Sequence, residues 1–175
     1  TDPCLENNFD ATTLEERARN KTRLQQTAGL APDPKTMVVG MVSRLTAQKG
    51  FDLLREAIGP ILTEERVQLV LLGTGERHYE ELFTGLAHTY PRQVAVRLEF
   101  NEPLARLIYG GCDLFLMPSR YEPCGWGQMI AMRYGAIPLV RRTGGLADTV
   151  VNYDPETEIG NGFVFGDYHP QALLD

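Results

Sequence analysis

Apolar residues in this chain come in short blocks, set apart by longer mixed segments. Near-continuous apolar runs cover 37–42, 67–72, 94–98, 113–117 and 136–140, each about the length of one strand. Segments read as helices lie between them, near 52–62, 78–89, 103–109 and 127–134. A further short helix is expected from about Leu146, and 162–165 reads as a last strand. Ahead of all these, 12–29 reads as a helix, with Thr13 and Glu16 spaced as a capping box and Gly29 placed to end it. Pro32 and Pro34 then form a short linker.

Strands that are apolar nearly throughout, each followed by a helix, predict an α/β fold with a parallel sheet covered on both faces. Right-handed crossovers make that a doubly wound, Rossmann-like layer, in which ligands bind beyond the carboxyl ends of the strands. Those ends carry Ser43-Arg44, Gly73-Thr74-Gly75, Glu99-Phe100, Pro118-Ser119-Arg120 and Arg141-Arg142. The chemistry is therefore expected along one rim.

Two stretches of that rim stand out. Glu122 follows one strand, and a turn with Cys124, Gly125 and Gly127 opens the next helix. After the following strand, Arg141-Arg142-Thr143-Gly144-Gly145 leads into a helix from Leu146. Helix starts preceded by small residues present free N–H groups and a positive dipole end. Two of them, one beside a pair of arginines, suit a doubly charged anion, and the nearby carboxylate suggests that something besides phosphate also binds. A nucleotide sugar meets both requirements. Glu122 could instead cap its helix. Arg44 and Lys49 offer a two-pronged contact and a mobile point charge to phosphate, although charge pattern alone also fits solvated loop residues. Gly73-Thr74-Gly75 lacks the third glycine of a dinucleotide fingerprint and reads as a tight turn. Cys124 has no neighbouring His to make it a nucleophile, so its N–H is the useful part.

Composition narrows the partners. A length of 175 residues suits one domain, and a net charge of −6 without a basic stripe argues against nucleic acid. No apolar stretch nears the ~20 residues that cross a membrane. Cys4, Cys112 and Cys124 lack metal-ligand spacing and read as free thiols, and His78, His88 and His169 form no group. No metal or other cofactor is expected.

The segments VSRLTAQKGFDLL, SRYEPCG and MRYGAIPLVRRTGGLADTV, in that order, resemble bacterial glycogen synthases and plant starch synthases. These are retaining GT-B transferases that pass glucose from ADP-glucose to the non-reducing end of an α-1,4-glucan. The resemblance covers nearly the whole chain, but only the second half of the family's architecture. It implies one C-terminal nucleotide-sugar-binding domain over 1–175, with a leading helix and linker over 1–35 and a Rossmann-like core over 36–175. The acceptor-binding N-terminal domain is then expected upstream: the chain opens on Thr1-Asp2-Pro3, and 169–175 reads as the first turn of an unfinished helix.

By the same resemblance, Arg44 and Lys49 hold the ADP phosphates and Glu122 faces the transferred glucose. Phe100 lies against adenine, where the family often has Tyr. The amides of Cys124, Gly125 and Gly127 and those of 144–146 line the donor, while Arg141 and Arg142 divide between cleft and surface. Three positions depart from common patterns. Ile130 stands where many GT-B transferases have a ribose-binding Glu, as is general in the glycogen synthase branch; Trp126 replaces a common Leu, and Gly127 a frequent Thr. The expected compartment is a bacterial cytoplasm or a plant plastid stroma. A UDP-glucose-using GT-B transferase of the sucrose or trehalose type, and a non-catalytic nucleotide-binding module, remain as alternatives.

Overall fold

Alternating side chains divide the central strands between two cores. In β1 (Met37–Val42), Val39 and Met41 join one core and Val38 the other. In β2 (Val67–Leu72), Leu69 and Leu71 join the first and Val70 and Leu72 the second. A side-chain period of two forces this division, so a strand covered on both faces must be apolar throughout.

The computed structural model describes residues 1–64 and 66–175. These form one parallel six-stranded sheet in the order β3-β2-β1-β4-β5-β6. The remaining strands are β3 (Val94–Arg97), β4 (Leu114–Met117), β5 (Ile137–Arg141) and β6 (Phe163–Phe165). One core takes Phe51 and Leu54 of α2 (Phe51–Thr63), Phe83 of α3 (Arg77–Thr89) and Leu173 of α7 (Pro170–Leu174). The other takes Leu24 of α1 (Arg17–Ala28), Ile108 of α4 (Glu102–Gly111) and Ala131 of α5 (Gly127–Arg133). Leu146 of α6 (Gly144–Thr149) packs with Val140 and Val150 in a third, smaller cluster.

The expected strands and helices form, with strand ends displaced by a residue where ladder pairing decides and the first helix starting five residues late. Arg141 pairs with Phe165 and so extends β5, whereas β3 stops at Arg97, three residues short of Phe100. The expected capping box does not form. Asp10 engages Thr13 instead: its carbonyl accepts from the Thr13 N–H at 3.1 Å, its N–H donates to the Thr13 hydroxyl at 3.0 Å, and its carboxylate accepts from the Thr12 N–H at 2.8 Å. Glu16 accepts from Asn7 at 3.0 Å, and the α-helix begins only at Arg17. Gly29, at φ +83°, does end α1, with the Leu30 N–H returning to the Gln25 carbonyl at 2.8 Å.

Residues 1–35 share the packing of the rest. Leu5, Leu24, Ala28 and Leu30 lie in the second core, and buried Asp2 accepts from the Tyr134 hydroxyl and from Arg106. Strand order reverses between β1 and β4, and a doubly wound sheet opens a crevice at that place.

Candidate functional site

Glycine brings the two loops of the crevice together. Beyond β1 the chain passes Arg44 and a 3-10 turn (Ala47–Lys49) to Gly50, which sits at φ +84°. A Cβ at Gly50 would run into the Pro118 carbonyl beyond β4, so only glycine permits this approach. The Arg120 N–H then donates to the Gln48 carbonyl at 2.9 Å, and the Gln48 side-chain amide to the Tyr121 carbonyl at 3.4 Å. With the loops so joined, Lys49 Nζ lies 2.5 Å from Glu122 Oε2. The Ser119 hydroxyl donates to the same oxygen at 3.3 Å.

Glu122 is only 8% exposed, and a cation and a hydroxyl meet its sheltered carboxylate. Its side chain accepts from Lys49 and Ser119 and from no α5 amide, so it does not cap the helix. The Gly73-Thr74-Gly75 turn supports the first loop from behind. The Leu45 N–H donates to Thr74 at 3.0 Å, and the Glu76 N–H to Leu45 at 2.8 Å. It is a scaffold, as the missing third glycine predicts.

The two expected amide nests differ. Among the described residues, the N–H groups of Cys124, Gly125 and Gly127 have no hydrogen-bond partner. At the start of α6, by contrast, the Gly145 N–H is shared by the Glu122 and Pro123 carbonyls at 3.0 and 3.1 Å, and the Leu146 N–H donates to Thr143 at 3.1 Å. The nest expected over 144–146 is thus largely closed, because Gly145 has no Cβ and α6 docks directly against the Cys124 carbonyl. Its amides fasten the first nest. Buried Gln128 assists, its side chain donating to the Gly125 carbonyl at 3.0 Å and to the Thr149 hydroxyl at 3.0 Å. A planar trans peptide points N–H opposite to C=O. Pinning the Pro123 and Gly125 carbonyls therefore turns the Cys124 and Trp126 N–H groups the other way.

The arginine pair divides its duties. Arg141 turns inward, donating to the Arg120 carbonyl at 2.7 Å and lying 5.2 Å from the Tyr168 ring centre. Arg142 is exposed, and among the described residues its side chain makes no ion pair. Phe100 is 97% exposed, which excludes a core role for it. Arg44, Lys49, Glu122, Trp126, Gly127 and Ile130 all line a cleft of about 330 Å³ beside Ser43 and Pro118. Phe100, Cys124, Gly125, Arg141, Arg142, Thr143 and 144–146 lie outside that lining. Larger hollows along α3 and beside Cys4 do not adjoin the switch point. Burial pushes the Cys112 thiol up to about 12, while Cys124 is exposed at the turn and His78, His88 and His169 are exposed elsewhere.

Sequence reasoning missed Gln48, Gln128 and Tyr168, whose contacts join segments far apart in the chain. The available signal was weak: for Gln128, a polar residue one place beyond a glycine turn.

Comparison with known proteins turns this arrangement into a family. The sequence pattern of the Glycosyl transferases group 1 family matches residues 22–175. The chain belongs to that family. Over its full length it is 53% identical to the glycogen synthase of Kosmotoga olearia, of which it spans 36%. Over 99% of its length it is 52% identical to the glycogen synthase of Gloeobacter violaceus, of which it spans 38%. It therefore covers little more than a third of these group 1 relatives. Among solved structures, the catalytic domain of Starch Synthase IV from Arabidopsis thaliana, bound to ADP and acarbose, superposes with a TM-score of 0.90 at 39% identity. That match takes in 99% of this chain and 36% of the other. Anabaena Alr3699/HepE in complex with UDP-glucose matches with a TM-score of 0.66 at 23% identity, over 89% of this chain and 41% of the other, a likeness of fold alone. The sheet is the Rossmann-like layer of a GT-B glycosyltransferase. No helix among the described residues is long and apolar enough to cross a membrane.

Proposed function

We propose that this chain is the donor-binding domain of a retaining glucosyltransferase that carries glucose from ADP-glucose to the non-reducing end of an α-1,4-glucan. The observation that carries the proposal is the Lys49–Glu122 contact at the switch point. An ammonium has three donors, and Glu122 takes one of them. The others are left for a phosphate, so Lys49 would tie the leaving diphosphate to the carboxylate beside the sugar. Support also comes from relatives named glycogen synthase and from a similar starch synthase domain bound to ADP.

Breaking the bond from glucose to diphosphate builds negative charge on the leaving oxygen and positive character on the sugar. Arg44, exposed at the rim, Lys49 and the free amides of Cys124, Gly125 and Gly127 would meet the first. Glu122 would orient the glucose or stabilise its charge. Phe100 would stack on adenine and Arg142 reach the phosphates from the rim. These groups would serve in place of a metal. The glucan would lie against an upstream domain of the same protein, in a bacterial cytoplasm or a plastid stroma, with no role for nucleic acid.

Transfer of labelled glucose onto glycogen by the full-length protein tests the proposal. ADP-glucose should be used and an α-linked product formed. No transfer from ADP-glucose, or faster transfer from UDP-glucose, would overturn it in favour of the rival enzymes or a binding module.

A further inference from the structure

Outside the cleft, four side chains from four segments close a second network. Tyr168, between β6 and α7, has the Arg120 guanidinium carbon 4.6 Å from its ring centre and that of Arg141 at 5.2 Å. Its hydroxyl donates to Asp52 of α2, and the other Asp52 oxygen meets Arg120 at 2.6 Å. Arg141, from the end of β5, also donates to the Ser119 and Arg120 carbonyls at 3.4 and 2.7 Å. A ring within reach of two guanidiniums, with one carboxylate beside them, lets two like charges share a small space. Burial, followed by the Asp52 bond, pushes the Tyr168 hydroxyl up to about 12, so it remains a donor at neutral pH.

Every member of this network grips the main chain or side chains of 119–120, two to three residues before Glu122. The same stretch carries the Arg120 N–H that bonds to Gln48, next to Lys49. The register between the two cleft loops therefore runs in part through Arg120, beside the Gln48–Tyr121 bond and the Gly50–Pro118 approach. We propose that Tyr168 is a positioning residue: by clamping Arg120 and Arg141 it fixes the loop over 118–122 against the loop over 48–50 and so sets the Lys49–Glu122 pair. This rests on the donor site proposed above. Tyr168 belongs to neither loop and does not line the cleft, and its hydroxyl also reaches the Ala47 carbonyl at 3.4 Å, so it acts only through the residues it holds.

Two measurements test it. In the 175-residue chain, hydrogen exchange at the Arg120 amide should speed up at least about 10-fold in Tyr168→Leu, while core amides such as Leu71 keep their rates. Unchanged exchange at Arg120, or equal acceleration throughout the sheet, overturns the proposal without reference to catalysis. In the full-length protein, Tyr168→Leu should lower kcat about 10-fold with the KM for ADP-glucose within about 2-fold, since misplacing a catalytic group costs turnover before binding. Tyr168→Phe keeps the ring and should restore at least half of kcat. A lower melting temperature with unchanged kcat, or a Phe variant no better than Leu, overturns it. If the unaltered protein transfers no glucose, the donor-site proposal fails, and the exchange result still separates a loop clamp from general packing.

Discussion

The Gly145 N–H donates to the Glu122 carbonyl at 3.0 Å, so the start of α6 holds the main chain of the residue whose carboxylate meets Lys49. That contact needs the missing Cβ, because one at Gly145 would strike the Cys124 carbonyl. Gly145→Ala should destabilise the chain by roughly 1–3 kcal/mol, the scale of overpacking. Gly85 in α3 has open space where a Cβ would go, and Gly85→Ala should stabilise by about 0.5–1 kcal/mol. Thermal melts of both variants check this, and equal effects would contradict the docking of α6.

Phe100 should contribute to binding and not to folding. With 97% of its surface exposed, Phe100→Ala should leave the melting temperature unchanged. It should weaken ADP by roughly 1–3 kcal/mol, as loss of base stacking does. Calorimetric titration of the variant with ADP decides; unchanged affinity places adenine elsewhere.

Acid should loosen the N-terminal segment. Burial alone would raise the Asp2 carboxyl, but the Tyr134 hydroxyl, the Cys4 N–H and Arg106 outweigh it and hold it below its ordinary 3.8. For Asp52, burial is again outweighed, by Tyr168 and Arg120. A carboxyl depressed in the folded state gains its proton more readily on unfolding. Its contribution is whole above about pH 4 and disappears as pH falls through the depressed value. The melting temperature should hold from pH 7 to 5 and fall below pH 4. Asp2→Asn should start lower and fall less steeply; a slope as steep as the unaltered chain's would contradict the assignment.

Loss of the Glu122 carboxylate should separate chemistry from binding. In the full-length protein, Glu122→Gln should cut turnover at least ~100-fold, the scale of one preorganised electrostatic group. ADP affinity should hold or rise slightly, because Lys49 loses its competing partner. Initial rates and ADP titrations on one preparation check this. Normal turnover would leave Glu122 a structural anchor.

Much of the layout was legible because it depends on local pattern. The apolar blocks at Met37–Val42 and Val67–Leu72 mark β1 and β2 to the residue, and Glu122 and Lys49 fall at strand ends where a doubly wound sheet binds ligands. The rest depended on contacts between distant segments. Thr13 and Glu16 have capping-box spacing, but the Thr13 N–H goes to the Asp10 carbonyl and the Thr13 hydroxyl takes the Asp10 N–H. Gly144-Gly145 reads as an anion nest until Glu122 and Pro123 fold back to take its amide. Which arginine turns inward depends on Tyr168, 27 positions beyond Arg141.

A nucleoside diphosphate is expected to bind where β1 and β4 part. Titrating ADP into the isotopically labelled 175-residue chain and following its backbone amides by NMR tests it most directly. Shifts should centre on Arg44, Lys49, Cys124, Gly125 and Gly127, and leave the already bonded Gly145 amide nearly still. ADP should also perturb the chain at lower concentration than UDP. No response at millimolar ADP, or shifts confined to α3 and the hollow beside Cys4, would mean that the crevice is not a nucleotide site.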